Sequence, residues 1–306
     1  MTDILTDRPT VAPTTDCAED GASGRPRGPS LGWVLGTGAL WLVCGLLGVF
    51  FFVYVNKGVH GVDSHAYWLT AHRGSLYGAA PGSRDAYLYS PAFSSLIWPV
   101  ALLPWHAFMT LWMAAEIAAF VWLLAPMGIR WGVPAFCLCL IEVGVGNIYA
   151  FFAVVAVLGL SRPGMWALPL LTKITPGLGP VWFAVRREWR ALWICTAVTV
   201  AVVAVSVALT PHLWVEWYRF LSNNAGGNQL FLPGRVVAAV ALTVVGARKG
   251  KPWLLAPAML LANPVVLHSW MEITILAAIP RLRRIQMERT DAAVPARAEM
   301  VGAVNS

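Results

Sequence analysis

From Leu31 to Val55 the chain carries no charged side chain, and this run decides the solvent in which the protein folds. A helix that crosses a hydrocarbon core of about 30 Å needs about 20 apolar residues at a rise of about 1.5 Å each. Comparable runs recur almost to the C-terminus. Charged residues make up only 12% of the chain and hydrophobic ones 58%, against roughly 25% charged in soluble domains. With a mean hydropathy of +0.64, there is too little polar surface to cover a water-soluble fold. Lipid is therefore the solvent for most of the molecule, and the expected fold is all-α and polytopic, with about ten transmembrane segments.

A walk along the chain places these segments. After Leu31–Val55 comes a polar, aromatic-rich loop from Asn56 to Ser90, with Asp63, His65, His72, Arg73, Arg84 and Asp85. Apolar character resumes at Pro91, breaks at Pro104-Trp105 and continues to Met127. Trp131 to Leu160 is interrupted near Glu142 to Asn147, where Gly144 and Gly146 predict two shorter helices meeting. Gly164 to Val185 reads as a span with one charge, Lys173, and Trp189 to Thr210 as a clean span. Pro211 to Leu232 reads as a second polar loop, and Pro233 to Ala247 as a short span. The last stretch, Trp253 to Ile279, is broken at Asn263-Pro264, because proline removes a backbone donor and clashes with the preceding turn.

The formal charge of +7 sits in short clusters between the runs: Arg25 and Arg27, Arg186 to Arg190, Arg248 to Lys251, Arg281 to Arg284. This is the pattern of membrane topology signals rather than of a nucleic-acid surface, so no nucleic-acid partner is expected. With the N-terminal tail inside, the three later clusters all fall inside. The loops Asn56–Ser90 and Pro211–Leu232 and the corner near His268 then fall outside. The expected organisation is a disordered cytoplasmic tail over residues 1–30, a membrane domain over 31–284 and a cytoplasmic C-terminal tail over 285–306, in a multi-pass protein of the cell membrane. The five cysteines lack metal-site spacing with a histidine and are expected to be thiols.

Few polar residues inside this frame are candidates for chemistry. Asp63 stands just beyond the first span, before a short amphipathic helix, and is either a partly desolvated base or a helix N-cap. Lys173 is a cation within an apolar span; it either faces a polar cavity with an anion or snorkels to the nearer surface, and Pro176 frees carbonyls that can solvate it. His268 is either a proton shuttle or a packing residue. Asn228, Gln229 and Arg235 offer amide forks and a guanidinium suited to sugar hydroxyls or an anion. Tyr87 and Tyr89 have the positions of interfacial anchors, Asn147 and Glu142 flank the glycine break, and Glu272 follows His268 by one turn. The sixteen tryptophans need no ligand, since aromatic belts form at both membrane interfaces. There is no Walker loop, dinucleotide fingerprint, zinc motif or Asp-rich metal pair, so neither a cofactor nor a metal is called for.

Taken in order, the motifs resemble glycosyltransferase family 87. They are the Asp after the first span, Gly74-Ser75-Leu76-Tyr77-Gly78, Tyr89-Ser90-Pro91 and Gly146-Asn147. Lys173-Ile174-Thr175-Pro176 with Arg186 to Arg190 follows, then Asn228-Gln229 with Arg235, and last the corner from Pro264 to Trp270. The family comprises actinobacterial membrane enzymes within the glycosyltransferase-C superfamily, and includes polyprenyl-phosphate-mannose-dependent mannosyltransferases and related arabinofuranosyltransferases. The resemblance runs from about Leu31 to Arg284. Gly146-Asn147 stands where the family has a Gly-Gln turn, and His268 lies one place from the family's register.

The resemblance implies a polyprenyl-phosphate sugar donor, mannose first, and a glycolipid or polysaccharide acceptor on the extracytoplasmic face. It implies Asp63 and His268 as catalytic residues of an inverting hexosyltransferase. Lys173, Arg235, Asn228, Gln229, Tyr89 and Asn147 would bind substrate, and membrane lipid would be the surrounding partner. A non-catalytic relative that binds a lipid-linked sugar is the alternative, with a small-solute transporter behind it.

Overall fold

The computed structural model describes residues 30–57, 60–224, 231–264 and 271–304. Contacts divide the chain after Ala39. The first unit contributes the opening turns of a single helix, α1 (Leu31–Asn56), where Thr37 returns its hydroxyl to the Trp33 carbonyl at 2.7 Å. All the architecture below belongs to the second unit.

Beyond α1 the chain forms α2 (Val62–Trp68), then a 3-10 turn over Leu69–Ala71, an irregular loop, and α3 (Pro91–Ala101), which starts with proline in its first turn. Asp85 holds the loop in shape. It adopts a left-handed φ of 62°, tolerable for Asp, while its carboxylate accepts from His65 at 2.7 Å and from Arg73 at 3.5 Å.

Next come α4 (Trp105–Leu124) and α5 (Gly128–Val145), joined by Ala125–Met127, with α5 returning alongside α4. Gly128, at φ 69°, makes that reversal. α6 (Tyr149–Leu158) follows the break expected at Gly146.

The single span expected over Gly164–Val185 is instead two short helices, α7 (Ala167–Thr172) and α8 (Gly179–Arg186). Lys173 ends α7 and Ile174 takes a left-handed φ of 58°, so the Lys-Ile-Thr-Pro stretch is the corner and not the interior of a helix. Pro176 just beyond, with no N–H to donate, suits such a stop.

α9 (Trp189–Leu209) is long and apolar. The expected loop Pro211–Leu232 is largely α10 (Pro211–Asn223), whose Leu213 and Phe220 are buried while its polar face is exposed. Phe220 packs on Tyr77, ring centroids 5.7 Å apart. α11 (Leu232–Arg248) and α12 (Leu255–Ala262) then pack together, and α12 stops at Asn263-Pro264 as proline requires. A 3-10 stretch, Met271–Ala278, leads into α13 (Ile279–Val304), so the C-terminal tail is helical.

Three stretches among the described residues are long and apolar enough to cross a membrane: Leu31–Phe50, Trp105–Val145 and Trp189–Leu209. The remaining apolar segments are shorter. α6, α7, α8 and α12 measure only about 9 to 15 Å at 1.5 Å per residue, well below the roughly 30 Å of a hydrocarbon core. The breaks between them are only partly covered: Ser161 and Arg162 between α6 and α7, and Ile174 between α7 and α8, are exposed, while Pro176 and Leu178 are buried. The interior is close-packed: Trp166, fully buried, wedges between Gly159 and Gly179, where a Cβ would meet its ring at 2.6 and 2.3 Å. The described cysteines, Cys44, Cys137, Cys139 and Cys195, are free thiols.

Candidate active site

Two left-handed glycines build the site. Gly61, at φ 69°, precedes α2, and Gly146, at φ 72°, ends α5. The Gly61 N–H donates to the Gly144 carbonyl at 2.7 Å, which clamps the start of α2 onto the end of α5. Ser64, with no exposed surface, fills the remaining space. A Cβ on Gly146 would stand 2.5 Å from Ser64 Oγ and 2.8 Å from Ser64 Cβ, so only glycine satisfies both the turn and the approach.

This clamp delivers Asp63 to Asn147. Asn147 Nδ2 donates to Asp63 Oδ2 at 2.5 Å, and Asn147 Oδ1 accepts from the Ile148 N–H at 2.7 Å. The second bond fixes which end of the amide faces the carboxylate, because only the carbonyl oxygen can accept from a backbone N–H. The N-cap alternative for Asp63 fails: Gly61 is the N-cap, Asp63 lies within the first turn, and the cap makes no side-chain bond. Burial raises the Asp63 carboxyl above its ordinary pKa, while the Lys173 ammonium and the Asn147 amide draw it back.

Glu142, wholly buried, reaches across the glycine break and accepts from the Tyr149 N–H at 2.8 Å. It thereby satisfies one of the free donors at the start of α6. Lys173 donates to the Tyr149 hydroxyl, with Nζ 3.8 Å from the Tyr149 ring centroid and 5.9 Å from that of Tyr89. The ammonium is therefore held by an aromatic pair rather than by carbonyls freed at Pro176, and it does not snorkel away. Asp63, Glu142 and Glu272 all lie within its electrostatic reach.

Tyr87 and Tyr89 are buried rather than interfacial anchors. The Tyr89 hydroxyl pairs with that of Tyr67 at 2.9 Å, and its carbonyl accepts from Tyr77 at 2.9 Å. Ser90 donates to the Leu171 carbonyl, tying the Tyr-Ser-Pro stretch to α7 two residues before Lys173. Asp63, Asn147, Tyr89 and Lys173, distant in sequence, thus meet in one place.

Arg235 is placed differently: its guanidinium donates to the Asn263 and Pro264 carbonyls at 3.0 and 3.3 Å, capping the end of α12. Asn228, Gln229 and His268 lie outside the described residues.

Several members of the cluster carried little signal in the sequence. Tyr149 is one more aromatic in an apolar run. Glu116, on α4, and Glu272 are each buried, with both carboxylate oxygens lacking a hydrogen-bond partner among the described residues. Glu272 stands out in the sequence beside His268, whereas Glu116 was missed, although a carboxylate in the middle of a long apolar stretch is itself a functional flag.

The arrangement holds a carboxylate, an ammonium within its electrostatic reach, and further acids, Glu142 and Glu272, that the same ammonium feels. No curated protein and no solved structure matches the chain. The model of glycosyltransferase family 87 matches residues 87–304, which begins beyond Asp63 and takes in Tyr89, Asn147, Lys173 and Arg235; on that match across most of its length, the chain belongs to glycosyltransferase family 87.

Proposed function

We propose that this family 87 glycosyltransferase moves a sugar, mannose first among candidates, from a polyprenyl-phosphate donor to a cell-envelope glycolipid or polysaccharide. In this reading about ten segments cross the cell membrane, the short ones as paired half-helices. Residues 31–284 form the membrane domain, both tails are cytoplasmic, and transfer takes place on the far side.

The observation that carries the reading is the Asp63 carboxylate, gripped by Asn147 with the Lys173 ammonium within reach. The acceptor hydroxyl gives its proton to Asp63 and its oxygen attacks the anomeric carbon from the side opposite the phosphate. The bond from that carbon to the phosphate oxygen breaks, and polyprenyl phosphate leaves with the electron pair, inverting the configuration. A phosphate leaving group needs cationic stabilisation rather than a proton, which Lys173 supplies, with Arg235 of α11, whose guanidinium reaches the end of α12, as second candidate. Positive charge developing on the sugar is stabilised by neighbouring carboxylates, here Glu142 and Glu272. His268, Asn228 and Gln229 remain candidates for proton transfer and sugar binding.

A cleft of about 620 Å³ supports a lipid-linked donor. Its walls are apolar and include Leu47, Ile141, Ile273 and Ala277; Ile141 and Ile273 are the chain neighbours of Glu142 and Glu272, which do not themselves line it.

Membranes containing the protein, incubated separately with labelled mannosyl and arabinosyl polyprenyl phosphate, should pass label from the mannosyl donor into a lipid or polysaccharide fraction. Transfer from the arabinosyl donor alone would replace mannose with a pentose. Transfer from neither donor would leave a lipid-linked-sugar-binding relative as the better account.

The pH profile tests the base. Asp63 must be ionised to accept a proton, so kcat/KM should fall as pH drops through its pKa. The Asn147 amide lowers that pKa, so Asn147→Ala should move the acid limb to higher pH. A limb that stays in place would assign the titration to another group.

A further inference from the structure

The arginine-rich end of the molecule is built by contacts as well as by sequence. Arg186 on α8 donates to the Ala247 carbonyl at the end of α11 at 3.3 Å, and the Arg283 guanidinium lies 4.9 Å from the Trp253 ring centroid. The Trp105 ring packs on His65, two residues from Asp63, with centroids 4.7 Å apart, and Trp122 lies 17 residues further along α4, about 25 Å at 1.5 Å per residue, so this end is remote from Asp63.

A cavity of about 270 Å³ opens here, lined by Trp122, Leu158, Ser161, Arg281, Arg284 and Ile285 among others. Trp122, Leu158 and Ile285 are apolar, Arg281, Arg284 and the Ser161 hydroxyl are donors, and one acid, Glu288, also lines the cavity.

The guanidinium of Arg281 is tethered by Nε to the Trp122 carbonyl at 2.7 Å and lies over the Trp122 ring, 4.5 Å from its centroid. Among the described residues its Nη groups have no hydrogen-bond partner. Arg284 donates through Nε to Glu288 at 2.9 Å at the rim of the cavity, both side chains more than half exposed, which leaves the Arg284 Nη groups for a ligand. Burial, then the Arg284 guanidinium, pushes the Arg281 pKa down, and Glu288 offsets part of this. A phosphate with two negative oxygens can accept from the Nη groups of both arginines and relieve what repulsion Glu288 leaves.

We propose that this cavity binds the phosphate of an anionic membrane phospholipid, with Arg281 and Arg284 as the donors and Trp122, Leu158 and Ile285 receiving the start of the acyl region. A lipid is favoured over a soluble anion because half of the lining is apolar and because α4 and α6, which supply Trp122 and Leu158, are apolar helices of the membrane core. The site is independent of the sugar-transfer reading.

The test uses the full chain purified in detergent and in nanodiscs of phosphatidylcholine with or without phosphatidylglycerol, read by native mass spectrometry of retained lipid and by thermal unfolding. Wild type should retain phosphatidylglycerol in preference to phosphatidylcholine. Arg284→Gln should reduce that preference roughly fivefold, the weight of one basic residue at a charged surface. Arg284 is exposed and anchors no backbone, so its loss leaves the fold intact, and Arg281→Gln serves as the second variant.

Arg283→Gln removes the same charge one residue away, against Trp253 and outside the cavity, and should leave the preference unchanged. Equal losses in the Arg283 and Arg284 variants would reduce the effect to diffuse attraction and overturn the site. Inorganic phosphate that protects the lipid-free protein in detergent as strongly as phosphatidylglycerol would overturn the lipid assignment, as would equal retention of both lipids by wild type.

Discussion

Asp63→Asn should lower sugar transfer by roughly 10²- to 10⁴-fold, the range associated with a positioned acid or base, without disturbing insertion or unfolding. The reasoning starts from geometry. Asparagine has the shape of aspartate, and its carbonyl oxygen can take the place of Oδ2 as acceptor for Asn147 Nδ2, now 2.5 Å away. The clamp between Gly61 and Gly144 involves backbone only and is untouched. What disappears is the negative charge, and with it the capacity to accept a proton from the acceptor hydroxyl. Removing a buried carboxylate also removes its desolvation penalty, so the variant should be at least as stable as the parent. The measurement pairs initial rates of label transfer with thermal unfolding of the same preparation. Full activity in a folded Asp63→Asn protein would remove Asp63 from the chemistry. Loss of activity with loss of fold would make it structural instead.

Much of this fold follows from residue patterns. A run free of charge from Leu31 to Val55 has the length and composition of a membrane span and forms one helix, and Gly146 marked where α5 gives way to α6 because left-handed backbone is easiest for glycine. Pro264 marked the end of α12 for an equally local reason. The errors have a common origin. Gly164–Val185 is apolar enough to be one helix, but apolarity reports burial, and a segment buried in protein can break where one exposed to lipid cannot. Pro211–Leu232 looked like a loop because it is polar, whereas α10 is polar on one face only.

The site was legible in its charged members. Asp63 and Lys173 are rare charges beside apolar runs, and such charges are retained for a purpose. Their partners were not legible, since nothing local distinguishes Tyr149 from any aromatic of the runs, nor tells that Tyr89 would be buried against Tyr67 rather than set at the interface. Those facts arise from α2, α5, α7 and the Tyr-Ser-Pro stretch converging, which no window of sequence contains.

Gly146→Ala should be the most damaging small substitution near the site, and its rescue identifies the cause. Two costs combine. Alanine at φ 72° gives up about 1 to 2 kcal/mol against its preferred backbone. Its Cβ would also lie 2.5 Å from Ser64 Oγ and 2.8 Å from Ser64 Cβ, a core overlap of the kind that costs about 1 to 3 kcal/mol. The sum is roughly 2 to 5 kcal/mol if α2 stays in place. If α2 moves instead, Asp63, one residue before Ser64, moves with it away from Asn147. A shift of about 1 Å at a reacting group can lower a rate by about 10²-fold. Either way activity falls, so the single variant does not separate backbone strain from collision.

Ser64→Gly introduced alongside Gly146→Ala separates them. It removes both colliding atoms and leaves the strained φ, so the steric part of the loss should return while about 1 to 2 kcal/mol persists. The coupling energy from the four-protein cycle reports that steric part. Ser64→Ala should rescue less, because Ser64 Cβ at 2.8 Å remains when Oγ is gone. The order Gly, then Ala, then Ser at position 64 is thus the expected ranking of activity in the Gly146→Ala background. Strictly additive losses in the cycle would mean that α2 does not rest on Gly146, and with that contact gone the placement of Asp63 against Asn147 would lose its structural cause.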